Sequence, residues 1–262
     1  MSVAAAYWLR NRIKFKGRRF VDRPVVTDAA QAAPTPRGRG LFESYALGRW
    51  LGRVSRPTFD ETLGVLDLLD RLPGRIFEKA DVPDFKVLDV GAKNWRYAPA
   101  LAAWTGKSFP DPECISVRGI ELDAYGVYSN FTTNLSQGRV FAALSTGGRA
   151  VFEYLPCDAR NVGALAAFDL VTWFFPFVFV DSHEAWGLPA GLFDPAAAFV
   201  AISRAVRPGG VLIMTNHGAD ECQAASRGLQ LACPAARLLY ADGVRGSLHA
   251  STEEVFLSAW GI

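Results

Sequence analysis

Three acids at the ends of apolar runs have the most chemistry open to them: Asp89 in Val87-Leu88-Asp89-Val90-Gly91, Glu121 in Gly119-Ile120-Glu121, and Asp158 in Cys157-Asp158-Ala159. A carboxylate at the tip of a buried strand can accept from a ligand's hydroxyls or amines. Gly91 just beyond the first of them would let that ligand come close to the backbone. A cation, Lys93, follows in Gly91-Ala92-Lys93-Asn94. Further on, an aromatic stretch from Trp173 and Phe174 to Trp186 could line an apolar acceptor pocket or fill the core. It carries His183 between Asp181 and Glu184, and His217 follows the next apolar run. Imidazole titrates near neutrality, so both are candidate general bases. The structural alternatives are an exposed loop histidine for His183 and a helix start for His217, and His249 is assigned no role.

These residues need strands to carry them. Lys86–Gly91, Ser116–Glu121, Val151–Asp158, Phe168–Trp173 and Val211–Asn216 are apolar runs separated by helix-length spacers, and Arg207-Pro208-Gly209-Gly210 launches the last. Strands alternating with helices imply parallel βαβ units with right-handed crossovers. Two final runs, around Leu238-Leu239-Tyr240 and Glu254-Val255-Phe256-Leu257, are too close together for a helical crossover and predict an antiparallel pair closing the sheet. The fold class is α/β, a doubly wound, mostly parallel seven-stranded sheet.

In the order and spacing of Val87-Leu88-Asp89-Val90-Gly91, Gly119-Ile120-Glu121, Cys157-Asp158-Ala159, Phe168-Asp169-Leu170-Val171 and Arg207-Pro208-Gly209-Gly210-Val211-Leu212, the chain resembles the class I S-adenosylmethionine-dependent methyltransferases, in a bacterial branch with its own loop after the first strand. The resemblance runs from about Lys86 to Ile262. It implies a Rossmann-like methyltransferase fold, S-adenosylmethionine as cofactor and a small-molecule acceptor. It assigns Glu121 to the ribose hydroxyls, Asp158 to the adenine amine, and Asp89 to the amino group, often through water; Asp89 could equally bond local backbone N–H groups. Trp173, Phe174 and Trp186 would face the acceptor. Asp123 either competes with Glu121 or caps the next helix. The family's alternating glycines read Gly91, Lys93 and Trp95 here. Either Lys93 pairs with the carboxylate of the cofactor's methionine moiety, or the pocket no longer takes this cofactor. The Asn- or Asp-Pro-Pro-aromatic motif of enzymes acting on base amines is missing its amide or acid in Trp173-Phe174-Phe175-Pro176, so nucleic acid is not the expected partner.

Composition bounds the rest. The chain has 262 residues, half of them hydrophobic, enough for one large core. No apolar stretch reaches a membrane span. Cys114, Cys157, Cys222 and Cys233 form no CxxC pair and the histidines are scattered, so no metal is expected and a reduced, cytoplasmic chain is. Residues 1–60 hold 12 Lys and Arg against 4 Asp and Glu, while the remainder holds 16 against 22. The basic excess lies in Arg10–Arg19, directly after an apolar stretch containing Tyr7 and Trp8. Residues 1–20 therefore read as a peripheral attachment to an anionic membrane surface at the inner face, as a solvated basic arm, or as a helix packed on the domain. The expected organisation is a basic arm and linker at 1–40, a helical extension at 41–85, and a methyltransferase-like catalytic domain at 86–262. The expected activity is methyl transfer to a small or envelope-related acceptor; the alternative is a non-catalytic module that has lost the cofactor and docks a membrane or acidic partner.

Overall fold

The computed structural model describes residues 2–77, 82–164, 168–248 and 254–262. Its elements run α1 (Val3–Arg12), α2 (Ala29–Ala32), α3 (Pro36–Ser44), α4 (Arg56–Leu69), β1 (Asp84–Val90), α5 (Ala98–Ser108), β2 (Cys114–Glu121), α6 (Asn134–Ser145), β3 (Ala150–Pro156), β4 (Phe168–Phe174), α7 (Val180–Ala185), α8 (Pro195–Ala205), β5 (Val206–His217), α9 (Gly218–Ala232), β6 (Arg237–Val244) and β7 (Val255–Gly261).

The strands form one sheet in the order β3-β2-β1-β4-β5-β7-β6. The first five are mutually parallel, and β7 runs antiparallel between β5 and β6. This is the mostly parallel, seven-stranded sheet expected from the sequence, with the antiparallel pair where it was placed. The Arg207-Pro208-Gly209-Gly210 turn differs from its expected place ahead of the fifth strand. It lies inside β5, where the register against β4 shifts between Phe168 and Leu170. Gly209, at φ +79°, donates to Ile262 O, and Ile262 N donates to Gly210 O, so the turn is a bulge clamped by the end of the chain.

Because successive strand residues face opposite ways, each strand feeds two cores. Val87 and Ile213 pack with Leu66, Leu101 and Phe141 on one face. Leu88 and Leu212 pack with Phe199, Ile202 and Leu229 on the other. Pro99 sits in the first turn of α5, where its missing N–H costs nothing.

Residues 1–40, expected as a basic arm and linker, carry α1, α2 and the start of α3. The stretch 29–40 holds α2 and the start of α3, which Thr35 caps by accepting from Gly38 N, with Pro36 in the first turn. Ala32, Ala33 and Leu41 are fully or nearly fully buried. Asp22, also buried, accepts from Ser55 N (2.7 Å), Ser55 Oγ (2.6 Å) and Thr58 Oγ1 (2.8 Å). Its carboxylate thus sits at the positive end of α4 and ties the leading segment to it.

Gly119 lies directly under the loop after β1. A Cβ there would meet the Trp95 indole at 2.7 Å. Gly119→Ala is therefore expected to cost about 1–3 kcal/mol by overpacking. Trp95→Gly, which restores a glycine to the loop, is expected to cost about 3–5 kcal/mol by emptying a buried site, despite relieving positive φ. Chemical denaturation of both variants checks the order of the two costs.

Candidate functional site

The tips of β1, β2, β4 and β5 and the loop after β3 open into a single cleft of about 810 Å³, roofed by α1 and α4 and walled by the segment from Phe174 to Pro195. It lies outside the carboxyl ends of the strands, where open α/β sheets place ligands. Of the residues singled out from the sequence, Gly91, Lys93, Glu121, Asp158, Trp173, Phe174, His183, Trp186 and His217 all line it, and Asp89 does not.

Asp89 is completely buried. One carboxylate oxygen accepts from Trp95 Nε1 (2.8 Å) and Tyr97 OH (2.7 Å), and the other from Thr172 Oγ1 (2.6 Å). Its donors are side chains, not the local backbone N–H groups. Burial drives its pKa up to about 7 against the pull of those three donors. Asp89 holds the loop that holds the ligand site.

That loop takes left-handed backbone at three alternate positions, only the first of them a glycine. Gly91, Lys93 and Trp95 take φ of +72°, +50° and +55°. A side chain in the left-handed region costs on the order of 1 kcal/mol, which the surroundings must offset. Trp95 is fully buried against Phe152 and Tyr154, and the Tyr154 hydroxyl donates to Lys93 O. Gly91 faces open space, so the closest backbone approach is preserved.

Glu121 uses one oxygen to accept from Lys93 N and the other from Asp123 N, both at 2.7 Å. Each oxygen keeps acceptor capacity, so the pair can still receive two hydroxyls from the cleft. Burial is the leading influence on it and raises its pKa. The Lys93 ammonium lies 4.0 Å from the centre of the Trp186 ring, across the cleft, and loss of surrounding water lowers its pKa against the attraction of Glu61 and Glu121.

Two carboxylates are already partnered. Asp158 is bound by the Arg160 guanidinium through Nε and Nη2 at 2.5–3.0 Å and by Arg160 N at 2.9 Å. Asp123 does not cap the next helix; Thr133 does. It receives Arg10 of α1 in a fork, at 2.8–3.0 Å. Arg160 and Arg10 both line the cleft, and the sequence pointed to neither. Arg160, two residues past Asp158, left a local clue. Arg10, 113 residues from Asp123, left none.

At the aromatic end, Trp173 is nearly buried against Phe199, and Phe174 meets Tyr97 edge to face. His183 is not an exposed loop residue. It is buried in α7 between Phe177 and Phe193, with Nε2 3.1 Å from Pro189 O, and burial lowers its pKa. The Pro189 contact requires the proton on Nε2. His217 is exposed at the tip of β5, stacked on Phe175 with 4.1 Å between ring centres. Phe175 itself adopts φ +56°, a strained backbone at a cleft wall. His249 lies outside the described residues. Among the described residues no group of three or more His, Cys, Asp or Glu could hold a metal, and no helix is long and apolar enough to cross a membrane.

No family model and no curated protein matches the chain. Solved structures do. A S-adenosylmethionine-dependent methyltransferase from Clostridium acetobutylicum is similar at 12% identity and TM-score 0.47, over 75% of this chain and 91% of that one. One from Aquifex aeolicus is similar at 14% identity and TM-score 0.46, over 74% and 90%. The fold is methyltransferase-like: the strand order and reversed β7 match the sheet implied by the sequence resemblance.

The raised pKa of Asp89 has a defined consequence for stability. In the folded state it keeps its proton up to about pH 7, whereas an unfolded Asp loses it near about 4. Between these values the folded state binds more protons, so stability falls as pH rises through the window. Asp89→Asn can still accept from Trp95 and Tyr97 and donate to Thr172. It is expected to fold and to flatten the decline, as checked by denaturant melts at acidic and mildly alkaline pH.

Proposed function

We propose that this chain transfers a methyl group from S-adenosylmethionine to a small or envelope-related acceptor bearing a hydroxyl, carboxyl or amine. The observation that carries the reading is Glu121: a strand-tip carboxylate, fixed by two backbone N–H groups, with unused acceptor capacity facing the cleft beside an unobstructed Gly91. The cofactor supplies an electrophilic methyl on a sulfonium. Glu121 receives the ribose hydroxyls, and the Lys93 ammonium pairs with the methionine carboxylate. The wall of Phe174, Phe175, Phe177 and Trp186 orients the acceptor and excludes water, the main contributions an in-line displacement needs from protein. His217, at the cleft and stacked in place, takes the acceptor's proton where one must leave. His183, held by Pro189 O, fixes the wall and not the proton.

A second reading, a non-catalytic module, is favoured by the Asp158–Arg160 pair, which ties up the carboxylate that the adenine amine would use. Calorimetry with S-adenosylmethionine, S-adenosylhomocysteine and NAD in parallel separates the two. The first pair should bind and NAD should not; folded protein that ignores all three supports the module.

Hydrogen bonds to a charged group are worth about 1.5–3 kcal/mol each. Glu121→Ala is therefore expected to weaken S-adenosylhomocysteine by at least about tenfold, read as loss of the ligand-induced rise in melting temperature. Lys93→Gly should also weaken binding, although it restores the family's glycine. Tighter binding in that variant would mark the lysine as an obstruction.

A further inference from the structure

The inward face of α1 is spoken for: Tyr7 is buried, with its hydroxyl pKa raised to about 12 chiefly by burial, and Arg10 is locked to Asp123. The outward face is different. Trp8, Leu9 and Ile13 are 55%, 52% and 60% exposed, and Arg12 shares that face one turn on from Trp8. Past the helix, Arg18 donates its N–H to Phe131 O and lies over the Phe131 ring, while Thr133 donates to Lys16 O. Gly17 is needed there, since a Cβ would come within 2.8 Å of Phe131 O. The basic stretch is therefore bolted to the 126–133 loop, whose own apolar side chains Val127 and Phe131 are 47% and 58% exposed. Ala6, Arg10, Val127 and Trp186 all line the same cleft, so α1, this loop and the exposed Trp186 border one mouth.

Exposed aromatic and aliphatic side chains gathered around a cleft mark a contact surface rather than chance. Its charge selects the partner. Arg12, Lys14, Lys16, Arg18 and Arg19 are exposed, and no acid occurs between Ser2 and Val21. We propose that this face docks on an anionic lipid bilayer, with Trp8, Ile13 and Phe131 entering the headgroup region, the cations on the lipid phosphates, and the cleft mouth turned toward the membrane. The docking surface is independent of whether the cleft transfers a methyl group.

The test uses the full chain with vesicles of phosphatidylcholine alone and of phosphatidylcholine mixed with phosphatidylglycerol. Binding should require the anionic lipid and fall as salt rises. Reversing three exposed cations (Arg12→Glu, Lys14→Glu, Lys16→Glu) should lower the partition coefficient by about a hundredfold or more, each being worth about a factor of five when replaced and more when reversed. Trp8→Ser with Ile13→Ser should also weaken binding while the melting temperature and S-adenosylhomocysteine affinity stay unchanged, since neither side chain lines the cleft. Brominated lipid should quench the fluorescence that Trp8→Phe removes. Equal binding to both vesicle types, binding to neither, or binding that survives the charge reversal would overturn the proposal. So would a DNA duplex that binds as tightly as the anionic vesicles and is indifferent to the Trp8 and Ile13 changes, because that pattern is general polyanion attraction.

Discussion

Everything at the cleft hangs on the buried carboxylate of Asp89. Three donors from two places converge on it: Trp95 and Tyr97 from the loop ahead of α5, and Thr172 from the neighbouring strand β4. A charge or a proton in the middle of the sheet is costly unless such partners surround it. Once they do, the loop has little freedom left. Trp95 is drawn down onto Gly119, Tyr97 is set against Phe174, and Lys93 is carried to the cleft with its backbone N–H aimed at Glu121. The acid acts on the site by building it.

The same network explains how the loop holds left-handed backbone without glycine at Lys93 and Trp95. Left-handed backbone at Lys93 and Trp95 is unfavourable by an amount of the order of 1 kcal/mol apiece. A buried indole contributes several times that through its contacts with Phe152 and Tyr154 and its hydrogen bond to Asp89. Side-chain burial thus does the work that glycine's freedom does elsewhere. It also places a cation where a glycine would leave nothing.

The sheet was legible because its signals are local: apolar runs of strand length, helix-length spacers and a gap too short for a crossover. The strand-tip position of Glu121 followed from the same runs, whereas Asp158, expected within the third run, lies two residues past the end of β3. What the sequence hid was long-range. Arg10 reaching Asp123, Asp22 reaching Ser55 and Thr58, and Gly17 fitting over Phe131 all join a segment whose composition resembles a free arm to parts of the chain far along it. Such pairings leave no periodicity behind. The conformations of Lys93 and Trp95 were hidden for the opposite reason, since residue type argued against them and tertiary packing overrode it. His183 was misplaced because a histidine flanked by two acids resembles a surface loop, whereas here it is the imidazole alone that turns inward.

The cleft is divided by the residues at its two ends. Around β1, β2 and the loop after β3 it offers Glu121, Asp123, Arg10, Asp158 and Arg160; around β4, α7 and β5 it offers Phe174, Phe175, Phe177, Trp186 and the imidazoles of His183 and His217. Lys93 stands between, its ammonium on the Trp186 ring and its field shared with Glu61 and Glu121. A cation over an exposed ring gains about 0.5–1 kcal/mol, far less than a carboxylate partner in a cleft shielded from water offers. An anionic group entering the polar end would therefore draw the ammonium off Trp186. Trp186 follows α7 in the segment that walls the aromatic end. Lys93 thus touches both ends of the cleft, its backbone N–H on Glu121 and its ammonium on the Trp186 ring.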